Sequence, residues 1–108
     1  MTLDEVFGPV VLVGLGGVFT EVFDDVALRL PPLDRQEALA MIDELRGARL
    51  LRGARGRPRA DVPAIADVLV KLGALALDLG DRLQAIDINP LFALPDGAIA
   101  GDALVELK

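Results

Sequence analysis

The 108-residue sequence predicts an α+β fold, an antiparallel sheet with two helices packed on one face. Three observations lead there. Short valine-rich and alternating runs occupy the region up to Leu30, two capped segments with apolar stripes follow, and two strand-like runs close the chain around a Pro-Asp-Gly turn. The order β-β-β-α-α-β-β, without an internal repeat, is read as one domain spanning 1–108.

The elements follow in chain order. Pro9 to Gly14 is a buried-strand pattern, and Leu15-Gly16-Gly17 punctuates it. Val18 to Phe23 alternates as a second strand, with Asp24-Asp25 as a turn, and Val26 to Leu30 is a third, closed by Pro31-Pro32. Asp34 is placed to cap the first helix, Glu37 stands at capping-box spacing, and Gly47 is placed to end it. Its stripe is Ala38, Met41, Ile42 and Leu45. Arg46 to Arg59 holds six arginines, three glycines and one proline and reads as a loop. Asp61 caps the second helix, with Pro63 in its first turn. Val62, Ile65, Leu69, Leu72 and Ala76 face inward, Val68 and Leu75 widen the stripe, and Gly80 closes it. Leu83–Asn89 and Ile99–Val105 then flank the turn Leu94-Pro95-Asp96-Gly97 as a hairpin.

Composition excludes several function classes. The net charge of −6 opposes a nucleic-acid binder, which needs a positive field. Cysteine and histidine are both absent, so thiolate chemistry and the usual neutral-pH proton shuttle are absent too. No residue is assigned a catalytic proton-transfer role. A bound metal would need oxygen ligands, which points to Mg²⁺ or Ca²⁺. No apolar stretch reaches the roughly 20 residues of a membrane helix, and the acidic start is unlike a secretory leader. A cytoplasmic protein without membrane contact is expected.

One constellation carries chemistry. On the strand 83–89, Ile86 and Ile88 point one way while Asp87 and Asn89 point the other. With the turn centred on Asp96, Asp102 comes close to that pair across the ladder. Three hard oxygen-bearing side chains could hold Mg²⁺, whose remaining positions are filled by water and phosphate. An ordinary solvated strand face is the bland alternative.

The longer motifs make the sequence recognisable. GPVVLVGLGGVFTEVFDDVALRLPPL resembles the segment GLGGxxVEVxxD with a following R-x-x-P-L of ADP-forming acetyl-CoA and acyl-CoA synthetases. LLRGARGRP resembles their LLxGxRGxxP, and LQAIDINPLFALPDGAIAGDALV resembles their xELDINPLxxxxxGxxAxDARV. The motifs cover nearly the whole chain in family order. The β subunit of succinyl-CoA synthetase is related. The resemblance implies the C-terminal lobe of an ATP-grasp fold, which clamps ATP or ADP between two α+β lobes. It implies that Asn89 and Asp102 hold Mg²⁺ and that Asp87 lines the same site. Joining an acid to CoA through an acyl phosphate and a phosphohistidine is the implied reaction.

Other residues gain meaning from the same resemblance. Gly16 and Gly17 read on spacing as a tight turn, and the resemblance brings them near the nucleotide or the phosphohistidine segment. Glu21 is either a solvated edge residue or a lining residue of the site. Arg52, Arg55 and Arg57 could grip phosphate, with Arg55 in the motif-matching Arg-Gly pair, although charge runs are usually solvated. Two departures stand out. Gly101 replaces a frequent valine, and Leu104 replaces the arginine of DARV, each expected to weaken strand packing slightly.

The family's upstream lysines and phosphohistidine are not in this sequence, which has only Lys71 and Lys108 as lysines. The expected partners are therefore the N-terminal ATP-grasp half and the CoA-binding domains, or a second copy in a homo-oligomer. Two functions follow: a nucleotide-binding lobe of a synthetase, inactive alone, or a non-catalytic interaction module pairing through an open sheet edge.

Overall fold

The computed structural model describes residues 2–4, 8–14, 25–53, 56, 58–88 and 90–108. Strands β1 (Thr2–Asp4), β2 (Gly8–Gly14) and β3 (Val26–Arg29) form an antiparallel sheet in that order. Helix α1 (Arg35–Glu44) follows, then the short α2 (Ala48–Leu51) and the long α3 (Val62–Leu79). Four strands end the chain: β4 (Leu83–Ile88), β5 (Leu91–Leu94), β6 (Gly97–Ala100) and β7 (Ala103–Leu107). All the strand pairs are antiparallel, as the α+β reading requires. β1 has no counterpart in the sequence reading, and the expected strand at 18–23 lies outside the described residues.

Both helix starts behave as their sequences dictate. Asp34 accepts a 2.7 Å hydrogen bond from the Glu37 amide, and Asp61 accepts one of 3.1 Å from the Ala64 amide. The carboxylate of Glu37 lies 3.6 Å from Nε of Arg29, so it serves an ion pair. Gly47 does not end α1. The helix stops at Leu45, which turns to extended backbone, and Gly47 instead precedes α2. That short helix interrupts the expected 46–59 loop. The rest of the loop closes at its base, where the Ala60 amide bonds to the Leu51 carbonyl at 2.7 Å.

The main core joins Val11 and Ala27 of the sheet to Ala38, Met41, Ile42 and Leu45, and to Val62, Ile65, Ala66 and Leu69 of α3. A smaller cluster joins Ala76 at the far end of α3 to Leu83 and Ile86 of β4. The helix thus belongs to both. At Gly73 it lies against the chain at Pro31–Leu33, where a β-carbon would make ordinary contact at 3.4 Å from Cβ of Pro31. Leu75 faces solvent at 41% exposure, so the buried stripe is narrower than its spacing suggests. Among the described residues, no helix is long and apolar enough to cross a membrane.

The C-terminal strands form the expected hairpin as an inner and an outer ladder that share one register. The turn at Pro95-Asp96 joins β5 to β6, with Leu94 paired to Gly97, whose φ is +146°. β4 pairs instead with β7, through Ile86↔Val105, Asp87↔Leu104 and Ile88↔Ala103. One hairpin is therefore nested inside another. Pro90 explains the break physically, because it cannot donate a ladder hydrogen bond.

Arg29 of β3 clamps α1. It pairs with Glu44 and donates from its other terminal nitrogen to Oε1 at 3.3 Å. The hydrogen bond from Arg29 holds the Glu44 carboxyl below its ordinary range, opposed in part by desolvation and aided by Arg29's charge. A depressed folded-state value stabilises the fold above the unfolded carboxyl's pKa and is lost as pH falls through the folded value. Acid unfolding should therefore lose this small contribution below about pH 4, in the carboxylate range. Glu44→Gln should remove that part of the pH dependence, as read by urea unfolding at low salt. Identical pH profiles for both proteins would contradict the assignment.

Candidate functional site

Register decides where the acidic residues meet. Ile86 and Leu83 are almost fully buried against α3, and each such side chain contributes about 1.5–3 kcal/mol. A one-residue slip would expose them, so the pairing of β4 is firmly set. The bulge between Leu83 and Ala85 shifts the alternation and lets both Leu83 and Ile86 face inward. Asp87 then faces outward and is exposed.

The same register continues beyond Ile88↔Ala103, because the Gly101 amide donates to the Pro90 carbonyl at 2.8 Å. Asp102 lies between these two contacts. Asp87 pairs with Leu104, so Asp102 is its diagonal neighbour on the same face, about 7–8 Å away by backbone geometry. Its Oδ1 accepts a hydrogen bond from the Ala103 amide at 2.9 Å, which orients the carboxylate. Because Leu104 stands directly across from Asp87, no cross-strand cation neutralises it there. Leu104 itself is 55% exposed and takes no part in core packing, contrary to the expected weakening of the strand.

Two outward carboxylates at one ladder end, neither in an ion pair among the described residues, suit a hard cation that keeps several waters. No cluster of three or more Asp or Glu side chains that could cage a metal occurs among the described residues.

The other sequence candidates separate. Asn89, Gly16, Gly17, Glu21 and Arg55 lie outside the described residues, as does Arg57. Arg52 is paired with Asp43, so its guanidinium is already engaged. The glycines of the LLRGARG motif, Gly53 and Gly56, have φ of +99° and +73°, which explains why that loop needs them.

One motif residue had no expected role. Asp25, the last residue of the GLGG-to-Asp motif, accepts from the Arg46 amide at 2.6 Å and the Gly47 amide at 3.1 Å. It thereby fixes the start of β3 to the turn between α1 and α2. Sequence gave no signal for this, since the partners lie 21 and 22 residues away.

These features define an α+β lobe that presents acidic side chains at the end of an antiparallel ladder. The chain belongs to the ATP-grasp domain family, which it matches over residues 1–107. It is 48% identical over 103 residues to the β subunit of ADP-forming acetate–CoA ligase I of Pyrococcus furiosus, covering 95% of this chain and 44% of that protein. With the β subunit of ligase II of the same organism it shares 40% over 110 residues, covering 100% and 47%. Its fold matches acetyl-coenzyme A synthetase 1 of Ca. Korarchaeum cryptofilum in complex with coenzyme A and Mg-AMPPCP. That match has a TM-score of 0.93 and 40% identity, covering 99% of this chain and 50% of the other. The chain thus spans about half the length of the β subunits it matches.

Replacing Asp25 with alanine removes the acceptor of one exposed and one part-buried amide, which water can partly replace, and should cost about 0.5–1.5 kcal/mol. Urea unfolding of Asp25→Ala against wild type measures it, and an unchanged midpoint would exclude the staple.

Proposed function

We propose that this chain is the Mg²⁺–nucleotide-binding lobe of an ADP-forming acyl-CoA synthetase, acting as one C-terminal subdomain over 1–108. The observation that carries this is the placement of Asp87 and Asp102 as diagonal neighbours at one ladder end, in a chain of the ATP-grasp family. The complex of the Korarchaeum relative with Mg-AMPPCP supports the choice of ligand. Asp102, with Asn89 on motif resemblance, would hold Mg²⁺, and Asp87 would line the same site. When bound, the metal supplies positive charge that neutralises a transferring phosphoryl group. The carboxylates orient it, and the inward anchoring of Leu83 and Ile86 keeps them in place. Gly16, Gly17, Glu21 and Arg55 belong to the nucleotide side of the site on the same resemblance.

The partner in this reading is the upstream ATP-grasp half, with the CoA-binding domains beyond it. Exposed apolar residues support a covering partner: Ile99, Leu104 and Leu107 are each more than half exposed. A cytoplasmic setting goes with this reading and with the cysteine-free composition. A second copy pairing along β7 is the competing reading, because every residue of that strand is exposed.

The test is ADP formation from ATP, CoA and acetate. The 108-residue chain alone should give none, and addition of the upstream half together with the CoA-binding domains should produce it. Turnover by the chain alone would sink the half-clamp reading. In the assembled enzyme, Asp102→Asn should lower activity by at least the 10–100-fold typical of disturbed metal surroundings, roughly speaking. Full activity of that variant would remove Asp102 from the metal site.

A further inference from the structure

We propose that Phe92 and Gly101 form a matched pair that positions Asp102 for metal binding, with the Phe92 ring occupying the volume of a missing side chain at 101. The proposal rests on the reading of Asp102 as a metal ligand. A β-carbon at Gly101 would stand 2.7 Å from Cε2 of Phe92, 3.2 Å from Cγ of Pro90 and 3.3 Å from Cδ of Pro90. Real β-carbons do not approach a ring carbon to 2.7 Å, so a side chain at 101 must move the ring tip, which a half-exposed phenylalanine can yield at low cost by leaving its seat on the strand. Gly101 is not among the glycines with positive φ, so its link to this place is the space taken by the ring rather than a backbone angle.

The contact has a direct route to the site. Phe92 lies on β5, opposite Ile99 of β6, on the face away from Leu91 and Ala98, which pack on the main core. Its ring reaches past the inner hairpin onto the strand that enters β7. There the Gly101 amide is bonded to the Pro90 carbonyl, and the next residue is Asp102. Ring, proline and hydrogen bond thus hold the peptide preceding Asp102 from two sides. Burial does not explain Phe92, which is 52% exposed. A half-exposed phenylalanine seated on a glycine beside an acidic ligand is better explained as a spacer.

Phe92 and Gly101 are positioning residues, and two readouts on the intact 108-residue chain separate their role from mere packing. The first is NMR amide exchange at Gly101. The second is paramagnetic broadening of the Asp102 and Ala103 resonances by Mn²⁺. In Phe92→Ala and in Gly101→Val, exchange at Gly101 should accelerate at least about tenfold, and the Mn²⁺ needed for half-broadening should rise several-fold. The double variant Phe92→Ala/Gly101→Val should recover much of both, because the valine refills the vacated space. Asp102→Asn serves as the control. Broadening lost in Asp102→Asn but unchanged in Phe92→Ala and Gly101→Val would overturn the positioning role alone. Absence of broadening in wild type, or its persistence in Asp102→Asn, would overturn the metal reading and this proposal with it. Additive losses in the double variant would show that the two residues are not matched.

Discussion

Everything at the proposed site depends on the pairing of β4 with β7. Two acidic residues separated along the chain share a face because Asp87 lies across from Leu104 and the same register runs on to Pro90 and Gly101. That register is held from below. Leu83 and Ile86 sit against the end of α3, and α3 reaches back into the main core through Leu69, Ile65 and Val62. A strand slip would take these side chains into water and turn Asp87 inward, where an unpaired carboxylate is costly. Core packing and site geometry are therefore the same constraint seen from two faces of one strand.

The motifs that mark the family divide into site and scaffold. Arg29 ties β3 to α1, Asp25 ties the start of β3 to the following turn, and Leu33 is buried in the core. None of these reaches the acidic end of the ladder among the interactions described. Their role is to fix the sheet and helix pair on which α3, and hence β4, is mounted. Surface ion pairs of this kind contribute little individually, so the Asp25 bonds to two amides are the stronger fastening.

Much of this was legible in the sequence, for identifiable reasons. Helix caps are local, so Asp34 and Asp61 were readable from their spacing, as was the stripe Ala38–Met41–Ile42–Leu45. Asp87 and Asp102 stood out because carboxylates on a strand face need a reason. Strand partners were harder. The Pro-Asp-Gly turn signalled a hairpin, but local turn chemistry cannot say that Pro90 and Gly101 split it into an inner and an outer pair. The Phe92–Gly101 contact and the Asp25 bonds are nonlocal and left no periodic trace. Gly101 was expected to weaken packing, whereas its lack of a side chain is what admits the ring.

The proposed site puts Mg²⁺ at this ladder end, with the arginine-rich loop contributing on the nucleotide side through Arg55. Titration of isotopically labelled protein with Mg²⁺ and ADP, followed by NMR, tests it most directly. The account predicts shifts centred on Asp87, Asp102 and their ladder neighbours Ile88, Ala103 and Leu104. A silent ladder end at millimolar ligand, or shifts confined to the segment around Arg52 and Arg59, would contradict it.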